Sequence, residues 1–530
     1  MKERVTLYDT TLRDGAQTQG VDFSAEDKRS IAEALDQLGI DYVEGGWPGA
    51  NPTDDAFFAQ APRLTRARFT AFGMTKRAGR SAANDPGLAA LLSSQANALC
   101  LVGKAWDYQV DVALGISRSE NLDNIAESIA LGVSRREVLF DAEHFFDGWR
   151  ANPDYALSAL KAAQDAGASW LVLCDTNGGT LPEDVYRVVS EIKQRLPQAR
   201  LGIHAHNDTE QAVAVSLAAV RAGARQVQGT LNGLGERCGN ANLCSILANL
   251  ILKPPYASQF ETGVDTEALT QLTAVSRLLD EILNRAPHRH AAYVGPSAFA
   301  HKGGLHVSAV QKDPRTYEHV PPESVGNQRV ILVSDQAGRS TILARLAALG
   351  IEVEASDKRI ARLLDDVKSR EFLGYAYDGA EASFELLARR ALGQVPTYFT
   401  VESFRVMVER RHNALGDLVT VSEAVVKVSA GGETFHNVGA GNGPVNALDH
   451  ALRKDLGRYS AYLQDLRLVD YKVRILTGGT EAVTRVMIES ADGSGNRWST
   501  VGVSENIVDA SFEALSDSIC YKLYRDGAPA

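Results

Sequence analysis

With 530 residues, 45% of them hydrophobic and 23% charged, the chain has the make-up of a globular protein of two or three domains with ample core material. A formal net charge of −11 argues against a general nucleic-acid binder or a membrane-surface protein. No apolar run approaches the roughly 18 residues of a membrane span, and the first stretch, MKERVTLYDTTLRDG, carries no signal segment. Cys100, Cys174, Cys238, Cys244 and Cys520 form no CxxC pair or disulfide framework, so they read as reduced thiols, mostly small buried hydrophobes, in a cytoplasmic protein.

Short β-rich runs alternate with helical patterns through the first half. The predicted strands are VTLYDT (5–10), DYVEGG (41–46), RFTAFG (68–73), ALCLVG (98–103), EVLFDA (137–142), WLVLCD (170–175), LGIHAH (201–206) and QVQGTL (226–231). Between the first two, SAEDKRSIAEALDQLG predicts a helix opened by a capping box of Ser24 with Asp27 and ended by Gly39. YALSALKAAQDAG and EQAVAVSLAAVRAG follow later strands with the same periodicity. Eight β-then-α units over about 250 residues predict a (β/α)8 TIM barrel spanning residues 1–285. A doubly wound open sheet is the rival; no G-x-G-x-x-G follows the first strand to favour it.

In such a barrel the chemistry belongs at the C-terminal ends of the strands. TTLRDGAQ follows strand 1, DAEHFFDG strand 5, DTNGG strand 6, HAHND strand 7 and NGLGERCGN strand 8. His204 and His206, two apart on a strand, share a face, and paired imidazoles are better divalent-metal ligands than core filling. Asp14 would add a carboxylate and Asn240 an amide oxygen, a donor set that accepts Mn²⁺, Mg²⁺, Co²⁺ or Zn²⁺. Arg13 is either a cation that stabilises negative charge on a substrate or an ion-pair partner of Asp14. Glu143 reads as an acid/base or as an orienting carboxylate for a histidine or arginine, and Thr176 as a hydroxyl for a substrate carboxylate or a turn cap.

TTLRDGAQ, GIHAHND and NGLGERCGN together resemble the signature set of the α-isopropylmalate, homocitrate and citramalate synthase family, whose barrel is also similar to that of 3-hydroxy-3-methylglutaryl-CoA lyase. SAFAHKGGLHVSAVQKDPRTYEHV (297–320) resembles the family's segment carrying a catalytic His and Tyr. EGGWPGANPTDDAFF, VGKAWDYQV, FDAEHFFDGW and WSTVGVSENIVDASFEALSDSICYKL are similar to one branch, the citramalate synthases. The resemblance implies an acyltransferase that joins acetyl-CoA to a 2-oxo acid by a Claisen-type condensation and hydrolyses the thioester. For that branch the oxo acid is pyruvate and the product (R)-citramalate, the first step of a pyruvate route to isoleucine. It implies Asp14, His204, His206 and Asn240 as metal ligands, with Arg13, Gln17, Glu143 and Thr176 contacting substrate or tuning the site. His306 and Tyr317 match the catalytic pair, supplied in the family by the partner subunit of a homodimer; His301 is an alternative base, and Lys302 and Lys312 are candidate partners of CoA phosphates. The alternatives are 2-oxoisovalerate as substrate, giving 2-isopropylmalate for leucine synthesis, a lyase running the reverse cleavage, or a non-enzymatic amino-acid-binding regulator.

Residues 286–400 predict a helical linker region, in which His288 and His290 read as surface or capping residues. From 401 to 530 the pattern predicts an α+β domain with an internal ββα repeat, FHNVGAGNGPVNALDHAL (435–452) aligning with WSTVGVSENIVDASFEAL (498–515). Gly-rich turns at helix starts expose N–H groups suited to an amino-acid carboxylate; dimerisation is the plainer reading. The resemblance favours an allosteric domain that senses isoleucine.

Overall fold

The computed structural model describes residues 2–285, 287–331, 339–354, 356–412, 414–477 and 482–530. The chain divides into two compact units, residues 1–299 with 319–329, and residues 300–318 with 330–530. Among the described residues no helix is long and apolar enough to cross a membrane.

In the first unit the eight predicted strands are β1 (Thr6–Asp9), β2 (Tyr42–Gly46), β3 (Arg68–Met74), β4 (Ala98–Lys104), β5 (Glu137–Glu143), β6 (Trp170–Asp175), β7 (Leu201–Ala205) and β8 (Gln226–Gly229). They form one closed parallel barrel in sequence order, and β1 closes it on β8 with Thr6 opposite Gln226 and Asp9 opposite Gly229. The open-sheet rival is therefore excluded. Helix α1 (Ala25–Leu38) begins as its capping box dictates: the Ser24 side chain accepts from the Asp27 N–H and Asp27 from the Ser24 N–H. Gly39 ends it at φ 102°, left-handed backbone that a side chain would strain.

The barrel interior is filled by Tyr8, Tyr42, Phe72, Ala98, Cys100, Leu139, Trp170, Val172 and Cys174. Cys100, Cys174 and Cys244 are buried, as small hydrophobes would be, whereas Cys238 is exposed and Cys520 half-buried. The larger core lies between the strands and the outer helices, with Leu7, Val43, Phe69, Leu101, Phe140, Leu173 and Val227 at 0–1% exposure. His288 and His290 are exposed.

The second unit holds α2 (Gly304–Lys312), further linker helices, and two three-stranded antiparallel sheets. The first sheet is β9 (Phe399–His412), β10 (Leu418–Ala430) and β11 (Glu433–Gly441), followed by α3 (Pro444–Lys454). The second is β12 (Arg467–Ile475), β13 (Thr484–Ala491) and β14 (Arg497–Ser504), followed by α4 (Ile507–Arg525). The repeat seen in the sequence is thus present, and each copy carries one more strand, β9 or β12, ahead of the strand pair read there. Both leading strands are largely exposed, although Phe399, Val401, Phe404 and Val406 of β9 and Tyr471, Val473 and Ile475 of β12 alternate with polar residues.

The two copies pack alike to the residue. Gly439 of β11 and Gly502 of β14 occupy equivalent positions of the repeat. A Cβ on Gly439 would lie 2.5 Å from Ala447 O and Ala451 N of α3, and one on Gly502 would lie 2.0 Å from Ala510 O and 3.0 Å from Ala514 N of α4. Each helix therefore rests its backbone directly on its sheet, an approach that only glycine permits. Gly502→Ala should force helix and sheet apart and destabilise the C-terminal unit by about 1–3 kcal/mol, with Gly439→Ala doing the same. Urea or thermal unfolding followed by circular dichroism reads this as an earlier transition in either variant.

Candidate metal centre

The turn after β1 is wound tightly, with the N–H groups of Arg13 and Asp14 both donating to Thr10 O. Buried Asp9 pins it by accepting from the Thr11 N–H and hydroxyl, and Thr11 Oγ1 accepts in turn from the Leu231 N–H beyond β8. Burial pushes the Asp9 carboxyl up to about 7, although Thr11 works against the shift. This lattice delivers Asp14 to the mouth of the barrel, where β7 presents both imidazoles on its inner face.

His204 Nε2 lies 3.3 Å from His206 Nε2 and 3.3 Å from Asp14 Oδ2. One ligand atom from each of Asp14, His204 and His206 falls within 4.8 Å of the others, and all three residues are buried. Asn240, after β8, donates from Nδ2 to Asp14 Oδ2 at 2.8 Å, while its buried Oδ1 has no hydrogen-bond partner. Exchanging the two ends of that amide, which look alike in shape, turns the unpartnered oxygen onto the cluster. Two imidazoles, a carboxylate and a spare amide oxygen fit a divalent cation with positions left for water or substrate.

The tautomer of His204 is set from behind. Its Nδ1–H donates to Gln228 Oε1 at 2.8 Å, and Gln228 Nε2 donates to Asp141 Oδ1 at 3.0 Å, a buried relay that leaves Nε2 facing the cluster. Burial lifts the Asp141 carboxyl above its usual range. Burial and then the neighbouring His204 push His206 down to about 3, which keeps that imidazole neutral and its lone pair available. Burial also disfavours the Asp14 anion, but the Arg13 guanidinium and the His204 hydrogen bond outweigh it and hold the carboxyl well below the usual range.

Arg13 is fixed on three sides. Its Nε donates to Glu44 Oε2 at 2.7 Å, its Nη1 lies 3.4 Å from Asp14 Oδ2, and its Cζ sits 3.9 Å from the centroid of the Phe72 ring. Glu44 accepts a second bond from the Tyr8 hydroxyl at 2.7 Å. Burial opposes the Arg13 charge, and Glu44 with Asp14 more than restores it. Of the two sequence readings of Arg13, the ion pair with Asp14 is present, and the same guanidinium lines a cavity at the barrel mouth.

Arg13, Asp14, Gln17, Glu143, Thr176, His204 and His206 all line one cavity of about 300 Å³, walled on one side by Trp47, Phe72, Met74 and Val102. The carboxylate of Glu143 pairs with Lys104 Nζ on the adjacent strand, not with a histidine or arginine. Thr176 Oγ1 accepts from the His144 N–H at 2.8 Å, which leaves its hydroxyl hydrogen for another acceptor. Arg237 ties three loops together, donating to both oxygens of Asp208 at 2.8 and 2.9 Å and to Thr176 O at 2.8 Å. In the other unit, the rings of His306 and Tyr317 lie 4.1 Å apart between centroids, and both are exposed, as are Lys302 and Lys312.

Glu44, Lys104, Asp141, Gln228 and Arg237 escaped the sequence reading. The signal for one of them was present: Glu44 is the lone charged residue inside a strand that is otherwise apolar.

The HMGL-like family matches residues 4–276, the homocitrate synthase post-HMGL domain-like family residues 293–371, and the LeuA allosteric (dimerisation) domain residues 378–523. An (R)-citramalate synthase of Aquifex aeolicus is 50% identical over 531 residues, covering 99% of each chain. One of Geobacter sulfurreducens is 51% identical over 526 residues, covering 98% of each. A probable 2-isopropylmalate synthase of Methanopyrus kandleri is 34% identical over 517 residues, covering 97% of each.

Because Gln228 fixes which nitrogen of His204 faces the cluster, Gln228→Leu should weaken Mn²⁺ binding by about 10–100-fold while the fold survives. Titration of Mn²⁺ by electron paramagnetic resonance measures it; unchanged affinity would remove the relay from the account.

Proposed function

The chain belongs to the HMGL-like family and within it to the (R)-citramalate synthases, and we propose that it condenses acetyl-CoA with pyruvate and hydrolyses the thioester to (R)-citramalate and CoA. The observation that carries this reading is one cavity in which Asp14, His204 and His206 converge beside the buried guanidinium of Arg13.

Asp14, His204, His206 and Asn240 would hold a divalent ion, whose Lewis acidity would serve the keto group of pyruvate. Arg13, locked by Glu44 and Phe72, meets the negative charge that grows on the keto oxygen without having to reorganise. The hydrogen of the Thr176 hydroxyl serves the pyruvate carboxylate, Gln17 closes the mouth of the cavity, and Trp47, Phe72, Met74 and Val102 receive the methyl group. His306 with Tyr317 takes the proton from the acetyl methyl, acting from a second copy of the chain, and Glu143 orients the reacting groups. Lys104 keeps the Glu143 side chain aimed into the cavity.

Preference for pyruvate over 2-oxoisovalerate is supported by the full-length identity to (R)-citramalate synthases, which exceeds that to the 2-isopropylmalate synthase. The matched LeuA domain supports a homodimer and feedback inhibition, for which we propose isoleucine as the ligand and the cytoplasm as the setting.

Two experiments test the reading. Thiol release from acetyl-CoA should be at least about 10-fold faster per mole with pyruvate than with 2-oxoisovalerate, since two methylenes of misfit are worth roughly 1–3 kcal/mol each. It should stop on addition of a chelator and return with Mn²⁺; a preference for 2-oxoisovalerate would overturn the substrate assignment. Arg13→Lys, which keeps the charge but loses the clamped planar geometry, should lower kcat by about 10²–10³-fold in the same assay with little change in Mn²⁺ affinity.

A further inference from the structure

The stretch from Ala300 to Glu318 belongs to the second unit, although the residues on either side of it, up to Phe299 and from His319 to Arg329, belong to the first. The chain thus makes an excursion, and its two ends are joined side by side. In the first unit, the rings of Phe299 and His319 stack at 6.3 Å between centroids, with Tyr293 edge-on to His319 at 5.3 Å. Lys253 Nζ donates to His319 O at 2.9 Å, fixing the same end. In the second unit, His301 Nε2 donates to Glu318 Oε1 at 3.1 Å, and both side chains are buried at 9% and 8% exposure.

Between these ends, one face of the stretch is exposed. Leu305 is 85% and Tyr317 49% exposed, and His306 is exposed beside the Tyr317 ring. Val307 and Val310 anchor the other side of α2, at 0% and 2% exposure. Tyr317 follows the short turn Pro314–Thr316, and its own N–H and that of Glu318 donate to Pro314 O. The position of the Tyr317 ring is therefore set by a turn whose far side is held through Glu318.

We propose that His301 and Glu318 are a positioning pair whose buried bond closes the base of this excursion and holds the His306 and Tyr317 rings in register. His301 acts through Glu318 and does not take a proton from substrate. An exposed pair of rings on a short helix and a turn has no surrounding core to fix it, whereas a buried polar bond between the two flanking residues restricts both at once. The effect on turnover rests on the role proposed above for His306 and Tyr317; the effect on ring geometry does not.

Full-length protein carrying ¹³C-labelled histidine separates the two. The His306 ring signal, assigned by its loss in His306→Gln, should be displaced by the ring current of Tyr317, 4.1 Å away between centroids. Glu318→Ala should remove that displacement and lower kcat by about 10–100-fold, leaving the KM for pyruvate and Mn²⁺ affinity unmoved. Glu318→Gln, which still accepts a hydrogen bond, should restore most of both. His301→Ala cuts the same bond from the other side and gives the same reading should the glutamate variant not fold. A His306 signal unchanged in Glu318→Ala overturns the proposal, as does loss of turnover in His301→Ala with full activity in Glu318→Ala, which would make His301 the base. Should the signal move while kcat stays at its original value, the positioning pair stands and the role given to His306 and Tyr317 falls.

Discussion

Closure of the barrel between β1 and β8 is the constraint on which the rest depends. Eight parallel strands joined in sequence order point their C-terminal ends to one rim, and pairing of Thr6 with Gln226 brings the first strand beside the last. The bond from Asn240 to Asp14 spans 226 positions of sequence and exists only because of that closure. No fragment of the barrel can hold the cluster, so whatever free energy a cation gains on binding there is also free energy of folding for the whole unit.

Above the apolar plug of Trp170, Tyr42 and Cys100, the interior turns polar in an ordered way. One series runs from Tyr8 through Glu44 to Arg13, and another from Asp141 through Gln228 to His204. Each ends on a group facing the cavity, and Asp141 lines that cavity itself. Ionised and dipolar groups buried this way are costly unless every member is partnered, and here the partnering also decides orientation. The site is thus built as the top layer of the barrel core. Its donors are in place before any substrate arrives, which is what electrostatic stabilisation of a developing charge requires.

Much of this was legible from residue order alone. Apolar runs punctuated by helical periodicity marked all eight strands, and the i, i+2 spacing of His204 and His206 declared that they share a face. Asp14 and Asn240 were reachable because a barrel turns strand ends into neighbours. What escaped depends on lateral pairing. Lys104 meets Glu143 because β4 and β5 align those two positions, and Gln228 meets His204 because β8 lies next to β7. A single polar letter in an apolar run names no partner until its neighbouring strand is known. The exposed strands β9 and β12 were missed for another reason: their alternating apolar residues are mixed with many charged ones, and a bulge breaks the period in each, between Val401 and Ser403 and between Leu468 and Asp470.

The twofold βββα arrangement makes the two copies depend on each other. Val426, Val428, Ala447 and Leu448 of one copy belong to the same continuous apolar cluster as Val486, Ile488, Ala510 and Ala514 of the other. A single copy cut loose would leave that shared surface wet, and a protein so small with an open oily side survives only by clinging to its like. Each half is therefore the lid of the other, and neither keeps its oily side dry alone.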